Sequence, residues 1–153
     1  MAEKEKHRKY SASKVSRLIR CPGSEDFVRY LIRKNLIPEE SSSKYASEGT
    51  MLHAEMENRF FHRPFTNDLD NEQVSCLDAC MEFFLELQVR HGFTWAQVER
   101  EVDLIKFGLE DTGGTADIIA GQERRSPHIV DWKFGRGVPV SVKKNEQLMT
   151  YLS

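Results

Sequence analysis

The chain has 153 residues, of which 39% are apolar and 30% charged, and its formal net charge is −2. This composition is typical of a globular protein, and the absence of an 18-residue apolar run or an apolar N-terminal stretch excludes a predicted membrane span and a secretory signal. Three cysteines are too few and odd in number for a disulfide framework, which favours a reducing, cytoplasmic setting.

The charges are unevenly distributed along the chain. The net charge is +6 for residues 1–34, −12 for residues 35–123 and +4 for residues 124–153. Basic ends around an acidic middle suit a protein that contacts a polyanion and holds cations. Solvated faces without any binding role explain the same pattern.

The N-terminal half of the sequence predicts helices. Residues 1–10 are polar and predict a flexible basic N-terminus. "SASKVSRLIRC" predicts a helix with Ser11 or Ser13 as its N-cap. "SEDFVRYLIRKN" predicts a second helix with Ser24 as its N-cap, and a Pro-Gly pair separates the two.

Two longer helices follow. Apolar residues at helical spacing predict a third helix from about Lys44 to Phe61 and a fourth from about Asp70 to Arg90. Gly92 is the expected C-cap of the fourth helix.

The apolar period then changes to two. Val98, Val102 and Leu104 alternate with acidic residues and predict a strand. "LEDTGG" predicts a turn. "TADIIAG" and "HIVDWKFG" predict a hairpin, "VPVSV" a short extended segment and "KKNEQLMTYLS" the start of a last helix. Helices, then three strands, then a helix predict an α+β fold around a small, mostly antiparallel sheet.

The hairpin carries two carboxylates beside apolar residues. Asp117 adjoins Ile118, and Asp131 adjoins Val130. Burying an unpaired carboxylate is costly, so either a lysine or arginine or a divalent cation must compensate. Oxygen ligands gathered at one site suit Mg²⁺ or Mn²⁺.

Lys133 follows Asp131 by two residues. Residues two apart in a strand share a face, so these two side chains are predicted to point the same way, with Trp132 opposite. A carboxylate that holds a metal beside an ammonium suits phosphodiester hydrolysis, in which the lysine positions water or stabilises developing negative charge. The alternative is a surface ion pair worth less than about 1 kcal/mol.

Two predicted helices carry polar pairs four residues apart, which share a helical face. The third helix has His53 and Glu57, with Gly49 one turn earlier. The last helix has Gln147 and Tyr151, a pair that suits hydrogen bonding to a phosphate or a base. A partly exposed histidine and a half-buried tyrosine without function are the alternatives.

Four motifs in a fixed order, Gly49-x-x-x-His53, Gly114-Thr-Ala-Asp117, Asp131-x-Lys133 and Gln147-x-x-x-Tyr151, resemble the PD-(D/E)XK nuclease superfamily. "CPGS" and "EGTMLH" are similar to its RecB-like branch and phage-encoded relatives. The resemblance covers residues 11–153 as one nuclease-like domain. It implies a restriction-endonuclease-like core of helix, three-stranded mostly antiparallel sheet and helix, with extra N-terminal helices. The resemblance places a final core strand after the last helix, so this strand is expected to be missing and the domain to be C-terminally short.

The resemblance also implies residue roles. The catalytic residues would be Asp117, Asp131 and Lys133. The metal ligands would be His53, Asp117, Asp131 and the carbonyl of Trp132. The DNA-binding residues would be Gln147 and Tyr151, to which charge alone adds Arg17 and Arg20. No iron–sulfur cluster is expected, since Cys21 has no late cysteine partners, and Cys76 and Cys80 are expected to be small core residues.

The implied activity is that of a Mg²⁺- or Mn²⁺-dependent deoxyribonuclease, an exonuclease in recombination or DNA end processing, acting in a bacterial host cytoplasm if phage-encoded. The alternatives are a truncated, weakly catalytic module that binds DNA or a partner protein, and a purely structural α+β domain. A missing strand would leave a sheet edge open. A second copy, a separate C-terminal fragment or "VPVSV" is expected to cover that edge, and no membrane partner is expected.

Overall fold

The computed structural model describes residues 10–38, 44–105, 109–134 and 141–152, with the backbone alone at 44–46 and 109–111. The chain divides into two compact units. The first comprises Met1–Ser41, Glu101–Ala116 and Val140–Ser153, and the second comprises Ser42–Arg100 and Asp117–Pro139. Most of the predicted flexible N-terminus and residues 138–140 of "VPVSV" lie outside the described residues. The prediction of a single domain over residues 11–153 stays a prediction.

The described strands are β1 (Tyr10–Ser11), β2 (Trp95–Leu104), β3 (Leu109–Gly121) and β4 (His128–Val130). They form a mixed four-stranded sheet with the order β1-β3-β2, in which β4 also pairs with β3. β1 is parallel to β3, with Tyr10 opposite Thr112, and β4 is antiparallel to it, with Ile118 opposite Val130. The α+β class and the hairpin are confirmed.

The expected three strands are wrong in number, because Tyr10 and Ser11 form an additional parallel strand. The predicted turn at "LEDTGG" is also wrong, since β3 begins at Leu109. Thr112 and Gly113 pair with Tyr10 and Ser11 about a hundred residues earlier in the chain. Pairing with a distant parallel strand therefore overrides the local turn preference of the two glycines.

The described helices are α1 (Val15–Arg20), α2 (Ser24–Arg33), α3 (Lys44–Phe60), α4 (Asn71–His91) and α5 (Glu146–Tyr151). All five follow the predicted order and positions. A short 3-10 turn at Ala12–Lys14 leads directly into α1. Within the described ranges, no helix combines the length and apolar character needed to cross a membrane.

Ser11, one of the two predicted N-caps of the first helix, is the N-cap of the 3-10 turn that leads into α1, although its side chain makes no capping hydrogen bond. The predicted N-cap of the second helix is wrong, because Gly23 caps α2. The Ser24 N–H donates to the Cys21 carbonyl at 2.9 Å. A backbone turn therefore satisfies a donor that a capping serine would otherwise serve.

The ends of α4 agree with the sequence. Asp70 is the N-cap and forms a capping box with Gln73. Gly92 closes the helix in the left-handed conformation, with φ of 63°.

The hydrophobic core of the second unit fixes α3 against β3 and the segment after β4. α3 packs against α4. Eight buried apolar side chains form the core: Leu52, Met56, Leu77, Phe84, Phe93, Ile118, Ala120 and Trp132. Burial of this kind stabilises by about 1.5–3 kcal/mol for each large side chain. Since His53 follows Leu52 and Asp117 precedes Ile118, the same core positions both polar residues.

Glu55 is a fully buried carboxylate in α3. It accepts hydrogen bonds from the Thr66 N–H at 3.0 Å, the Asn67 N–H at 2.8 Å and Asn58 Nδ2 at 2.9 Å. Burial acts to raise the pKa of Glu55, but the hydrogen bonds from Asn58, Asn67 and Thr66 outweigh it and lower the pKa to about 2. The ionised carboxylate therefore ties residues 66–67 to α3.

Replacing Glu55 by Ala is expected to lower the free energy of unfolding by about 2–4 kcal/mol, because several donors lose a charged acceptor. Urea denaturation at pH 7 measures the loss. Glu86→Ala, an exposed change on α4, is the control and should stay within about 0.5 kcal/mol of wild type. Equal losses in the two variants would contradict a role for Glu55 in holding the loop.

Candidate metal site

Three side chains of the second unit converge from three elements. His53 lies on α3, Glu99 on β2 and Asp117 on β3. One potential ligand atom from each lies within 4.8 Å of the other two. His53 Nδ1 is 3.4 Å from Asp117 Oδ1. These residues form a candidate metal site, called the His53–Glu99–Asp117 cluster below.

The cluster borders a small cleft. The cleft has a cavity volume of about 10 Å³, which is room for roughly one water molecule. The residues lining it are His53, Met56, Glu57, Phe60, Val98, Glu99, Asp117, Ile118 and Trp132. Four of these are acidic or basic groups and the rest are apolar. Apolar walls beside charged groups lower the local dielectric constant, which strengthens any electrostatic interaction made there.

Glu99 has an unusual backbone conformation. Its φ of 49° places a non-glycine residue of β2 in the left-handed region. Such a conformation costs on the order of 1 kcal/mol or more and is enriched at functional sites. It interrupts the regular alternation of β2 at the residue that joins the cluster.

The sequence prediction missed Glu99. It lies in a run with Glu101 and Asp103 that alternates with Val98 and Val102, which is the pattern of a solvated strand face. A backbone dihedral angle leaves no trace in that pattern. The available signal was an acidic strand directly preceding the hairpin that bears Asp117.

Asp117 is buried and close to two other carboxylates. Burial raises the pKa of Asp117 to about 7, the carboxylates of Asp131 and Glu99 add to the rise, and the Trp132 N–H and Lys133 oppose it. The Trp132 N–H donates to Asp117 Oδ2 at 2.5 Å. A divalent cation would relieve the repulsion among these carboxylates, as expected of a carboxylate in a metal site.

His53 differs in its titration. Burial and the positive charge of Lys133 lower the pKa of His53, although Asp131 acts in the opposite direction. The ring also packs edge-on against Phe134, with centroids 5.0 Å apart. The imidazole is therefore neutral at pH 7, which is the form that binds metal ions.

Asp131 and Lys133 lie beyond β4, which ends at Val130. The prediction that both lie on this strand is wrong, because the Trp132 N–H donates to the Asp117 carboxylate instead of extending the backbone ladder. Lys133 Nζ is 2.5 Å from Asp131 Oδ2, so the two side chains do meet. The Asp131 side chain is 9% exposed and that of Lys133 is 50% exposed.

The predicted ligands are thus placed differently. His53 and Asp117 belong to the cluster, whereas Asp131 is held in an ion pair with Lys133. The Trp132 indole lies in the core. Ligation by Asp131 and by the Trp132 carbonyl stays a prediction. Gly49, predicted to leave space for a close approach, faces the Phe134 carbonyl, which would lie 3.7 Å from an added Cβ.

Gln147 and Tyr151 belong to the first unit, where α5 packs against α1 and the preceding 3-10 turn. Tyr151 is buried, and its hydroxyl donates to the Thr115 carbonyl at 2.8 Å. Gln147 Nε2 donates to the same hydroxyl at 3.3 Å. A Cβ at Gly114 would lie 3.1 Å from this hydroxyl, so the glycine admits the tyrosine. DNA contact by the pair stays a prediction.

The two predicted arginine contacts lie on α1. Arg17 forms an ion pair with the buried Glu25, which also binds Lys14 Nζ at 3.1 Å. Arg20 is exposed in the last turn of α1. Arg17 therefore neutralises a buried carboxylate, and contact of either arginine with phosphate stays a prediction.

The cysteines were expected to be core residues of a helix. Cys80 packs against the core of the second unit, where burial and the neighbouring Cys76 raise the pKa of its thiol to about 11. Cys76 is exposed, so its assignment to the core is wrong. The two stand four residues apart on α4, and of the two only Cys80 packs against the core.

Without metal, Asp117 should make the fold less stable as pH rises. A folded-state pKa of about 7 against an ordinary value of 3.8 means that the folded chain binds the extra proton between those pH values. The contribution of Asp117 to the free energy of unfolding is complete below about pH 4 and is lost as the pH rises through about 7. The total loss is on the order of 4 kcal/mol at most. Urea denaturation in EDTA should show that the free energy of unfolding of Asp117→Asn rises relative to that of wild type from pH 5 to pH 8. A constant difference would contradict the raised pKa.

A family model described as a protein of unknown function (DUF2800) matches residues 7–152 of the chain. No solved structure matches the chain.

Proposed function

The chain belongs to the DUF2800 family, and we propose that it is a Mg²⁺- or Mn²⁺-dependent deoxyribonuclease with a nuclease-like core of the PD-(D/E)XK type. The observation that carries the proposal is the convergence of His53, Glu99 and Asp117 within 4.8 Å. The four sequence motifs support it, because two of these three residues stand at motif positions. An exonuclease of recombination or end processing is the proposed type.

The donor set suits a hard divalent cation. Two carboxylates and one imidazole provide oxygen and nitrogen ligands, which favour Mn²⁺ and Mg²⁺ over metals that prefer sulfur. Ligands at about 2.1 Å around an octahedral ion lie roughly 3–4 Å from one another. A spread of up to 4.8 Å therefore requires only a small inward shift of the side chains.

A bound cation would polarise the phosphoryl group and lower the pKa of a coordinated water. Three residues of the chain would hold this cation. Asp117 and Glu99 provide negative charge that fixes the cation, and the neutral His53 ring adds a nitrogen ligand. The apolar residues Met56 and Phe60 restrict water in the cleft.

Lys133 has a separate role in this proposal. Asp131 holds its ammonium at 2.5 Å, close enough to the cluster to affect the pKa values of both His53 and Asp117. Half of the lysine side chain is exposed, so a phosphate can reach it. An ammonium at this place stabilises the negative charge that develops on a phosphodiester during hydrolysis.

A second candidate is a non-enzymatic module that binds DNA. The Asp131–Lys133 ion pair favours this candidate, because a lysine that neutralises a nearly buried carboxylate already has a structural role. The two candidates differ in whether the chain cleaves DNA or only binds it.

Incubation of the full chain with supercoiled plasmid and with linear duplex, in Mn²⁺, Mg²⁺ or EDTA, tests the proposal. Degradation with metal and none with EDTA is expected, and a requirement for ends would identify an exonuclease. Asp117→Asn protein purified in parallel controls for contaminating nucleases. Metal-independent binding without any cleavage would overturn the proposal in favour of the second candidate.

A further inference from the structure

One face of α2 exposes aromatic and cationic side chains together. Phe27 is 60% exposed and Tyr30 46% exposed. Arg29, Arg33 and Lys34, the last at the helix C-cap, are also exposed. We call these five residues the α2 aromatic surface. It belongs to the first unit and is distinct from the His53–Glu99–Asp117 cluster, which belongs to the second.

Helical geometry distributes these residues over the exposed half of α2. Phe27, Tyr30 and Lys34 stand three and four residues apart and therefore follow one line along α2. Arg29 and Arg33 follow a second line about 100° around the helix, in which Arg33 stands three residues from Tyr30. Lys34 Nζ lies 6.0 Å from the centroid of the Tyr30 ring. Lys34 and Arg33 are therefore the cations nearest to the Tyr30 ring.

The inward side of α2 is filled by other residues. Val28, Leu31 and Ile32 are half-buried, and Glu25 is buried. Exposed aromatic rings on the opposite side lose the packing energy that burial would give each of them. Two such rings beside cations form the kind of exposed patch that marks a binding site.

We propose that the α2 aromatic surface binds a single-stranded segment of DNA, with bases stacked on Phe27 and Tyr30. The phosphates would contact Arg29, Arg33 and Lys34. Three cations against one exposed acidic residue, Asp26, complement a polyanion. Aromatic platforms beside cations are the general means by which proteins hold single strands without reading sequence. The choice of DNA as the polyanion rests on the proposed nuclease function.

The arrangement of the face favours a nucleic acid over a lipid surface. A helix that lies in a membrane interface separates its apolar side from its charged side. On α2, Arg33 and Lys34 stand three and four residues from Tyr30 and share its face, so burying that ring in lipid would also bury these two cations. A base and its phosphate use both kinds of side chain at once.

Fluorescence anisotropy of a labelled 20-nucleotide oligo(dT), with the full chain in EDTA, tests the surface without cleavage. The combined change Phe27→Ala and Tyr30→Ala should weaken binding at least tenfold, since loss of one stacked base costs about 5- to 160-fold. The combined change Arg29→Ala and Arg33→Ala should weaken binding and reduce the slope of log affinity against log salt by about 1.4.

The matched control is Phe83→Ala together with Arg90→Ala, an exposed aromatic and an exposed cation on α4. This control should bind as wild type does. Thermal melting of every variant verifies folding, which the exposure of the substituted residues favours. An oligonucleotide of abasic sites should bind wild type about as weakly as the aromatic double variant does.

Unchanged affinity in the aromatic variant, or a wild-type chain that binds phosphatidylserine vesicles and not the oligonucleotide, would overturn the proposal. The nuclease assay is read separately. Variant-sensitive binding without metal-dependent cleavage would support the surface while refuting the nuclease. Cleavage that is insensitive to all α2 substitutions would support the nuclease while refuting the surface.

Discussion

Replacing Asp117 by Asn should abolish metal-dependent DNA cleavage and the stabilisation of the fold by Mn²⁺. The change removes the buried carboxylate of the His53–Glu99–Asp117 cluster. It leaves an amide oxygen to accept the Trp132 N–H, so the fold should persist. The cation contributes several kcal/mol of transition-state stabilisation, so its loss should lower the cleavage rate by a factor of at least about 1,000.

The metal effect on stability is measured by thermal melting at pH 8, with and without Mn²⁺. An ion that binds only the folded state adds about 2.7 kcal/mol at a concentration one hundred times its dissociation constant, which is several degrees for a domain of this size. Asp68→Asn, an exposed change in the loop before α4, is the control and should keep the full shift. A full shift and normal cleavage in Asp117→Asn would remove Asp117 from the site.

Lys133→Ala should lower cleavage about 100-fold or more and leave metal binding in place. The ammonium lies outside the cluster but next to it, where it interacts with both His53 and Asp117. Its loss removes charge stabilisation during hydrolysis without removing a ligand. Single-turnover cleavage at saturating Mn²⁺ measures the chemical step.

The lysine also neutralises Asp131, and this second effect must be separated from catalysis. Lys133→Ala leaves a nearly buried carboxylate without its cation, which lowers stability. Adding Asp131→Asn to that variant should restore stability, because the leftover charge is gone, while cleavage stays low. Cleavage at the wild-type rate by Lys133→Ala, or by the double variant with Asp131→Asn, would mean that Lys133 has only a structural role.

The helices could be predicted because their signals are local. Asp70 and Gly92 stand next to the two ends of the apolar period of α4, and they are its N-cap and C-cap in the structure. The parallel pairing of Tyr10 with Thr112 could not be predicted in this way, because no local pattern links residues so far apart. For the same reason the glycines at 113 and 114 predicted a turn where a strand runs.

The candidate site was predictable in part. The resemblance of the four motifs to a nuclease superfamily implied His53 and Asp117 as ligands, and the core brings α3 and β3 together. Glu99 depends on a left-handed backbone conformation inside a strand, which the alternation of β2 conceals. The ion pair of Asp131 depends on where β4 stops, which is decided by the bond between the Asp117 carboxylate and the Trp132 N–H.

Calorimetric titration of Mn²⁺ at pH 8 into wild type, Glu99→Gln and Glu101→Gln tests the cluster most directly. Glu99 and Glu101 are both exposed residues of β2, and Glu99 alone of the two belongs to the cluster. We expect saturable binding to wild type and Glu101→Gln, and at least tenfold weaker binding to Glu99→Gln, since it loses a charged ligand. Equal binding by all three chains, or none by wild type, would contradict the metal site.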